Sequence, residues 1–494
     1  MRNRIFRSIY TEAVDHVKPF ESIPRPFQLP FVGNWHLYKL GIYNPRKYHQ
    51  VLSNLYKKYG PVVYEKVGLD EPLIHIFEPE DVQTVYRNED KLPEIFPLNK
   101  FARDYRKRED YSAGLGNTNG DEWYRFRNGI RDFMMKTKCV QGFLKETETV
   151  TDDLIEIMKK ESADNEGRIV DLRQLLGRWS IEVAGEICFN KRLGYLCGPN
   201  EALGRKMVQA NKTVFRTGAL LKFALPFYNY VRTPKWTRQV ECEHLIHGTA
   251  LEHANEAFSK IDQLMKSNSL KDGQYKFLIT LLQKDELSRR DVATLSISLF
   301  GDGLSTIVPV LITMLYCLAT NPRVQEKAYE EICRVTGDKD QNLDAGIVNQ
   351  LTYLKAIMKE TFRMYPNGVE IARIIKKPLI LSNYHIPAKS NLSMNMQIHF
   401  KSPKYFSDPE VFKPERWIRG SKDSNVHPFL FAPFGVGART CDGRKFAEKD
   451  LHVSLFKILK NFKLVYPPDG PCIDFVFDTL LFPDKDLPIR FLPR

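Results

Sequence analysis

Residues Phe434 to Gly443 read FGVGARTCDG, three glycines set around a single cysteine. Glycine lets a backbone turn tightly and come close to a flat ligand, and Cys441 stands just ahead of Arg444 to Leu459, whose apolar spacing predicts a helix. A thiol at a helix amino terminus has its thiolate favoured by the unsatisfied N–H groups and the dipole there. Cys441 is therefore a candidate anionic metal ligand. The other cysteines, at 139, 188, 197, 242, 317, 333 and 472, are scattered with no C-x-x-C pair, which excludes a disulfide framework or zinc site and suits a reducing compartment.

The ten residues match F-x-x-G-x-R-x-C-x-G, and through them the chain resembles the cytochrome P-450 family, whose haem-binding loop has this pattern. The resemblance extends from about Lys18 to the end. It implies a mainly α (α+β) fold: a large helical bundle around a buried haem b (iron-protoporphyrin IX), with small β-sheets. Cys441 would be the axial iron ligand, with Phe434, Gly435, Arg439 and Gly443 at the cofactor. A thiolate on haem iron pushes electron density towards bound oxygen and favours O–O cleavage.

Other segments fall where this family needs them. Trp123 and Arg127 lie one helical turn apart in EWYRFR and, by resemblance, reach a haem propionate together with Arg373 and Arg439. Four donors on two carboxylates is reasonable physics, since an uncompensated buried carboxylate is costly. Glu360 and Arg363 in KETFR share a helix face, as do several other E-x-x-R pairs. This one precedes FKPERW, whose Arg416 resembles the third member of a structural Glu-Arg-Arg network behind the haem.

On the oxygen side, LFGDGLSTIVPV aligns so that Thr306 takes the oxygen-activating position, where a hydroxyl can relay protons. Pro309 lacks an N–H and kinks the helix there. The usual acid is replaced by Ser305, and Asp302 stands one turn before Thr306. Asp302 or a water on Ser305 would then deliver the proton, the alternative being that Asp302 only satisfies local backbone.

Within the family the chain looks like the mitochondrial clan and is similar to steroid and ecdysteroid hydroxylases. Lys355, Lys359, Arg444 and Lys445 resemble the basic patch that docks an adrenodoxin-type ferredoxin; a plain solvated helix face would give the same spacing. The first residues, MRNRIFRSIY, carry three arginines and no acid, like a short mitochondrial presequence or an ordinary basic terminus. The expected division is a basic leader over 1–17 and one domain over 18–494, on the mitochondrial inner membrane.

Composition agrees. Hydrophobic residues at 43% and charged at 27% of 494 exclude a disordered or fibrous chain, and the net charge of +13 favours an anionic partner. No Lys/Arg block or nucleic-acid module is present, so that partner is an acidic protein or membrane surface and not nucleic acid. The mostly apolar run Leu295–Ala319 contains Asp302 and Pro309 and reads as a buried central helix. Residues 218–236, GALLKFALPFYNYVRTPKW, suit peripheral insertion into a membrane interface or a core or channel segment. His244, His247 and His253 read as a solvated face, not a metal site.

Helical periodicity dominates from about Asp81 to Tyr365, and short strands are expected in PVVYEKVG and PLIHIFEP, IIKKPLIL, YHIPA, LSMNMQIHF, FKLVYP and PIRFLP. By resemblance the substrate pocket is walled by a loop over Pro97–Leu115, then Phe300–Thr306, Val369–Ile371 and Leu480–Phe482. These are largely apolar and imply a lipophilic substrate. The function expected is a monooxygenase fed by a ferredoxin. The alternatives are a haem-thiolate isomerase or dehydratase needing no reductase, and a non-catalytic carrier.

Overall fold

Ser288 starts the helix on which the molecule is organised. Its hydroxyl accepts from Asp291 N while the Asp291 carboxylate accepts from Ser288 N, a reciprocal cap that opens the helix Arg289–Thr320. The structure is a computed structural model that describes residues 17–97, 99–337, 343–421, 423 and 426–494. The expected leader over 1–17 lies, except for Val17, outside the described residues.

Arg289–Thr320 is long and apolar enough to cross a membrane, but it is buried along most of its length as the core helix of the bundle. It packs against Leu172–Phe189, Pro234–Lys266, Thr352–Met364 and Arg444–Asn461. The crossing with Leu172–Phe189 is close because Gly303 has no side chain: a Cβ there would lie 2.9 Å from Ser180 Oγ. Pro309 sits inside the helix, as expected.

The strands build a smaller second layer. β1 (Val62–Glu65) and β2 (Leu73–Ile76) form an antiparallel hairpin; β3 (Ile371–Ile374), β4 (Leu379–Leu381), β5 (Tyr384–Ile386) and β6 (Asn391–Met394) come from the far end of the chain. The four-stranded sheet has the order β1-β2-β6-β3, with β2 parallel to β6 and β3 antiparallel to it. Its inner face, with Ile74, Ile76, Leu392 and Met394, forms its own apolar core. β7 (Phe462–Val465) pairs with β10 (Arg490–Pro493), β4 with β5, and β8 (Phe475–Asp478) with β9 (Leu480–Pro483).

The helices expected from periodicity form, with boundaries moved by a few residues. Three expectations differ. IIKKPLIL is two strands, β3 ending at Ile374 and β4 starting at Leu379, with Ile375, Lys376, Lys377 and Pro378 between them. LSMNMQIHF stays extended only to Met394 and then tightens into a 3₁₀ turn, Met396–His399. The expected loop Pro97–Leu115 contains the helix Lys100–Arg108, capped by Asn99, whose side chain accepts from Ala102 N at 3.0 Å.

Glu360 and Arg363 are fully buried and paired through two hydrogen bonds of 2.8 and 2.9 Å, and Arg416 joins them. All eight cysteines are free.

Candidate active site

Gly435 and Gly437 adopt φ of +71° and +77°, the left-handed region in which a side chain would strain the backbone. The turn they make is closed by Cys441 N, which donates to Phe434 O at 2.8 Å, and by the Thr440 hydroxyl, which donates to the same oxygen at 3.2 Å. Gly443 has an ordinary φ of −77°; a Cβ there would sit 4.0 Å from the Cys441 sulfur. Phe434 stacks edge-on against Phe362 at 5.3 Å, fixing the loop to the helix Thr352–Met364.

Cys441 lies just before the helix Arg444–Asn461 and keeps solvent access although protein surrounds it. Burial raises its thiol pKa and the Asp302 charge raises it further. The N–H groups of Gly443 and Arg444 and the Arg127 guanidinium act the other way. A cation beyond the sulfur would complete what those donors begin.

Beside the loop, Trp123, Arg127, Arg373 and Arg439 gather from three parts of the chain. Arg439 lies over the Trp123 ring at 3.9 Å, and Arg127 donates to Thr440 O at 2.9 Å and pairs with Asp442. Arg373, placed by β3, pairs with Glu89. The hydrogen bonds of Arg439 go to neutral oxygens of Pro93, Thr118 and Asn119. Burial, then the charges of Arg373 and Arg127, pull its pKa down to about 9. Three crowded guanidinium groups against two carboxylates leave a cationic excess beside an open thiol. That donor set fits a dianionic, iron-bearing porphyrin, whose carboxylates would relieve the repulsion.

Across from the thiol, Asp302 keeps solvent access on a helix buried almost throughout, so its side chain faces an interior hollow. Burial raises its carboxyl pKa to about 6; Glu243 adds to the rise and Arg106 opposes it. The Thr306 hydroxyl donates to Asp302 O at 2.8 Å, one turn back on the same face. Ser305 is different: it is fully buried, 100° around the helix from Thr306, and its hydroxyl reaches Asp302 O only at 3.5 Å. The structure thus brings Asp302 and Thr306 to the hollow and turns Ser305 into the helix packing.

The basic residues of the proximal side are also together. Lys359 and Arg444 are exposed, and Lys355 and Lys445 are half-buried and close enough to repel. Glu448, which the sequence reading passed over, accepts from Arg444 at 2.8 Å and Lys445 at 2.9 Å. Glu89 and Asp442 were likewise missed, and no spacing in the sequence marks them. The three histidines are not a solvated face: His247 is buried and stacked on Tyr111 at 4.0 Å, His253 contacts the Tyr195 hydroxyl at 2.9 Å, and only His244 is exposed. Among the described residues no group of His, Cys, Asp or Glu is arranged to hold a bare metal ion.

Comparisons with known proteins agree with this arrangement. The family model described as Cytochrome P450 matches residues 23–490. The chain is 37% identical over 482 residues to the probable cytochrome P450 CYP44 of Caenorhabditis elegans, covering 96% of this chain and 94% of that one. It is 29% identical to the rat mitochondrial 1,25-dihydroxyvitamin D(3) 24-hydroxylase, covering 96% and 89%. To the mitochondrial cytochrome P450 302a1 of Drosophila melanogaster it is 27% identical, covering 96% and 94%.

Proposed function

The chain belongs to the cytochrome P450 family and is a haem-dependent monooxygenase, and from that premise we propose that it inserts one oxygen atom of O2 into a steroid-like lipophile in mitochondria. Electrons would come from an adrenodoxin-type ferredoxin and the cofactor would be haem b. The single observation that carries this reading is the gathering of Trp123, Arg127 and Arg439 beside the Cys441 loop, with Arg439 over the Trp123 ring at 3.9 Å and Arg127 donating to Thr440 O at 2.9 Å.

Cys441 would hold the iron as thiolate, Trp123, Arg127, Arg373 and Arg439 the propionates, and Phe434, Gly435 and Gly443 would shape the floor. When bound, the haem-thiolate supplies dioxygen binding and O–O cleavage. The chain's own residues supply the protons. Asp302, with its pKa near 6, can hold a proton close to neutrality, and a rotation of the Thr306 hydroxyl away from Asp302 O would direct it into the hollow. Ser305 has no such access.

The names of the mitochondrial relatives and the Lys355, Lys359, Arg444 and Lys445 patch support the ferredoxin and the compartment. The vitamin D hydroxylases among those relatives support a steroid-like substrate. Peripheral membrane contact is supported by a band of exposed apolar residues: Phe27, Phe31, Leu40, Ile42 and Leu69 beside Phe227, Tyr230 and Val231. The two halves of the band come together near Gly68, where a Cβ would lie 3.5 Å from Leu225 Cδ2. In the segment 218–236 Leu221, Tyr228 and Trp236 are buried in an apolar cluster while Phe227, Tyr230 and Val231 face outward, which supports interfacial insertion beside a core role.

The test is the difference spectrum of the reduced, carbon-monoxide-bound protein for wild type and Cys441→Ser, followed by steroid turnover with and without a ferredoxin and its reductase. A strongly red-shifted Soret band lost in the variant, and turnover only with ferredoxin, are expected. Turnover that needs no reductant would favour an isomerase or dehydratase instead.

A further inference from the structure

Glu89 has no place among the residues assigned to the haem, yet it joins two of the segments that carry them. It follows the helix Pro79–Arg87, and Glu89 N donates back to Tyr86 O at 3.4 Å. Tyr86 and Glu89, three residues apart, both reach the glycine turn of the cysteine loop: a Cβ at Gly437 would lie 3.2 Å from Glu89 Oε2 and 3.7 Å from Tyr86 Cδ1. Only a residue without a side chain leaves room for the carboxylate to sit against that turn.

The other carboxylate oxygen, Glu89 Oε1, accepts from Arg373 Nε, and the Arg373 guanidinium lies over the Tyr86 ring at 5.2 Å. Arg373 Nη1 donates to Ala372 O at 2.8 Å. Two of the three nitrogens are thus fixed on a side chain that is 4% exposed overall. Nη2 donates to none of the described residues and is not sealed from solvent. Because the guanidinium is a rigid plane, fixing Nε and Nη1 also fixes the direction in which Nη2 points.

The other charges near Glu89 are engaged elsewhere. Lys376 pairs with Glu94 at 3.2 Å and Lys377 with Asp90 at 3.5 Å. Arg439 spends its hydrogen bonds on neutral oxygens, so the carboxylate of Glu89 opposes its charge from a distance. Burial raises the Glu89 pKa, and Arg373 and Arg439 act against the rise.

We propose that Glu89 is a positioning residue for the haem: it clamps Arg373 through Nε so that Nη2 is presented to a haem carboxylate, and its own negative charge among these arginines keeps the iron's reduction potential low. The inference rests on the reading of Arg373 as a propionate holder. A salt bridge that served folding alone would leave the potential where it is.

The experiment compares haem-loaded, full-length wild type, Glu89→Gln and Glu89→Leu by the rate of haem transfer to excess apomyoglobin and by the midpoint potential in a redox titration. Glutamine keeps an oxygen for Arg373 Nε and loses the charge; leucine loses both. Haem should leave Glu89→Leu about tenfold faster than wild type, and Glu89→Gln no more than about twofold faster. The potential should rise in both variants, by the equivalent of a several-fold gain in the ratio of ferrous to ferric haem at a fixed applied potential. Glu89→Gln preserves the bond and serves if Glu89→Leu fails to fold. An unchanged potential in Glu89→Gln, or equal haem loss from the two variants, would overturn the positioning role and leave the monooxygenase reading standing. Absence of a thiolate-haem band from the wild type would instead bring down that reading, and this inference with it.

Discussion

Arg416 Nε donates to Glu360 Oε1 at 3.0 Å across 56 residues of chain, and neither side chain is more than 1% exposed. The same carboxylate accepts from Trp417 Nε1 at 2.8 Å and Lys413 N at 2.9 Å, so the segment before the cysteine loop is pinned to the helix Thr352–Met364 through one side chain. Removing one partner of a buried pair strands the other charge, which costs about 3–5 kcal/mol. Glu360→Gln and Arg416→Leu should therefore lower unfolding stability by about that much in denaturant titrations. The haem-loaded fraction that still folds should keep its turnover.

Asp302 gives a prediction in pH. Its carboxyl is raised to about 6 mainly by burial, so the proton is held below that value and lost as pH climbs through it. The ratio of product formed to oxygen consumed should fall over that range in wild type. In Asp302→Asn it should be lower by about tenfold or more and flat with pH. Unchanged coupling in the variant would remove Asp302 from proton delivery.

Glu448 neutralises two of the four cations assigned to ferredoxin docking, accepting from both Arg444 and Lys445. Glu448→Gln should tighten the complex several-fold at low salt, and Lys359→Glu, on an exposed position, should weaken it by about tenfold, with both effects fading as ionic strength rises. Titration by surface plasmon resonance at two salt concentrations reads both.

Phe31 and Tyr230 are 86% and 83% exposed, one in each half of the apolar band. Phe31→Ser and Tyr230→Ser should each reduce partitioning onto phospholipid vesicles several-fold without changing the thiolate-haem spectrum, because inserted apolar area drives interfacial binding. Vesicle co-sedimentation of the double variant at wild-type levels would exclude this band as the contact.

What could be read from the sequence was what lies contiguous in it. FGVGARTCDG carries its glycine turn and its thiol within ten residues, directly ahead of its helix, and the central helix shows itself as a long, mostly apolar run. The helix Lys100–Arg108 escaped because its buried side is only Phe101, Ala102 and Tyr105 among charged neighbours. Asp302 and Thr306 share a face by helix geometry alone, which was legible from their spacing; that the same geometry turns Ser305 into the packing was hidden by an alignment on residue type. Glu89 against Arg373, and Arg106 against Glu243, join remote segments through tertiary packing that no local pattern encodes.

The parallel pairing of β2 with β6 places His75 beside Asn395, their ring and amide nitrogens 3.4 Å apart although 320 residues separate them. A nascent chain can therefore form the β1–β2 hairpin early, but the edge that β6 will cover stays open until most of the polypeptide has emerged. Loop closure over such a span is slow, and an unpaired strand edge invites association with other chains. A product truncated before residue 391 should be held by chaperones or aggregate through β2, however completely its helices have formed.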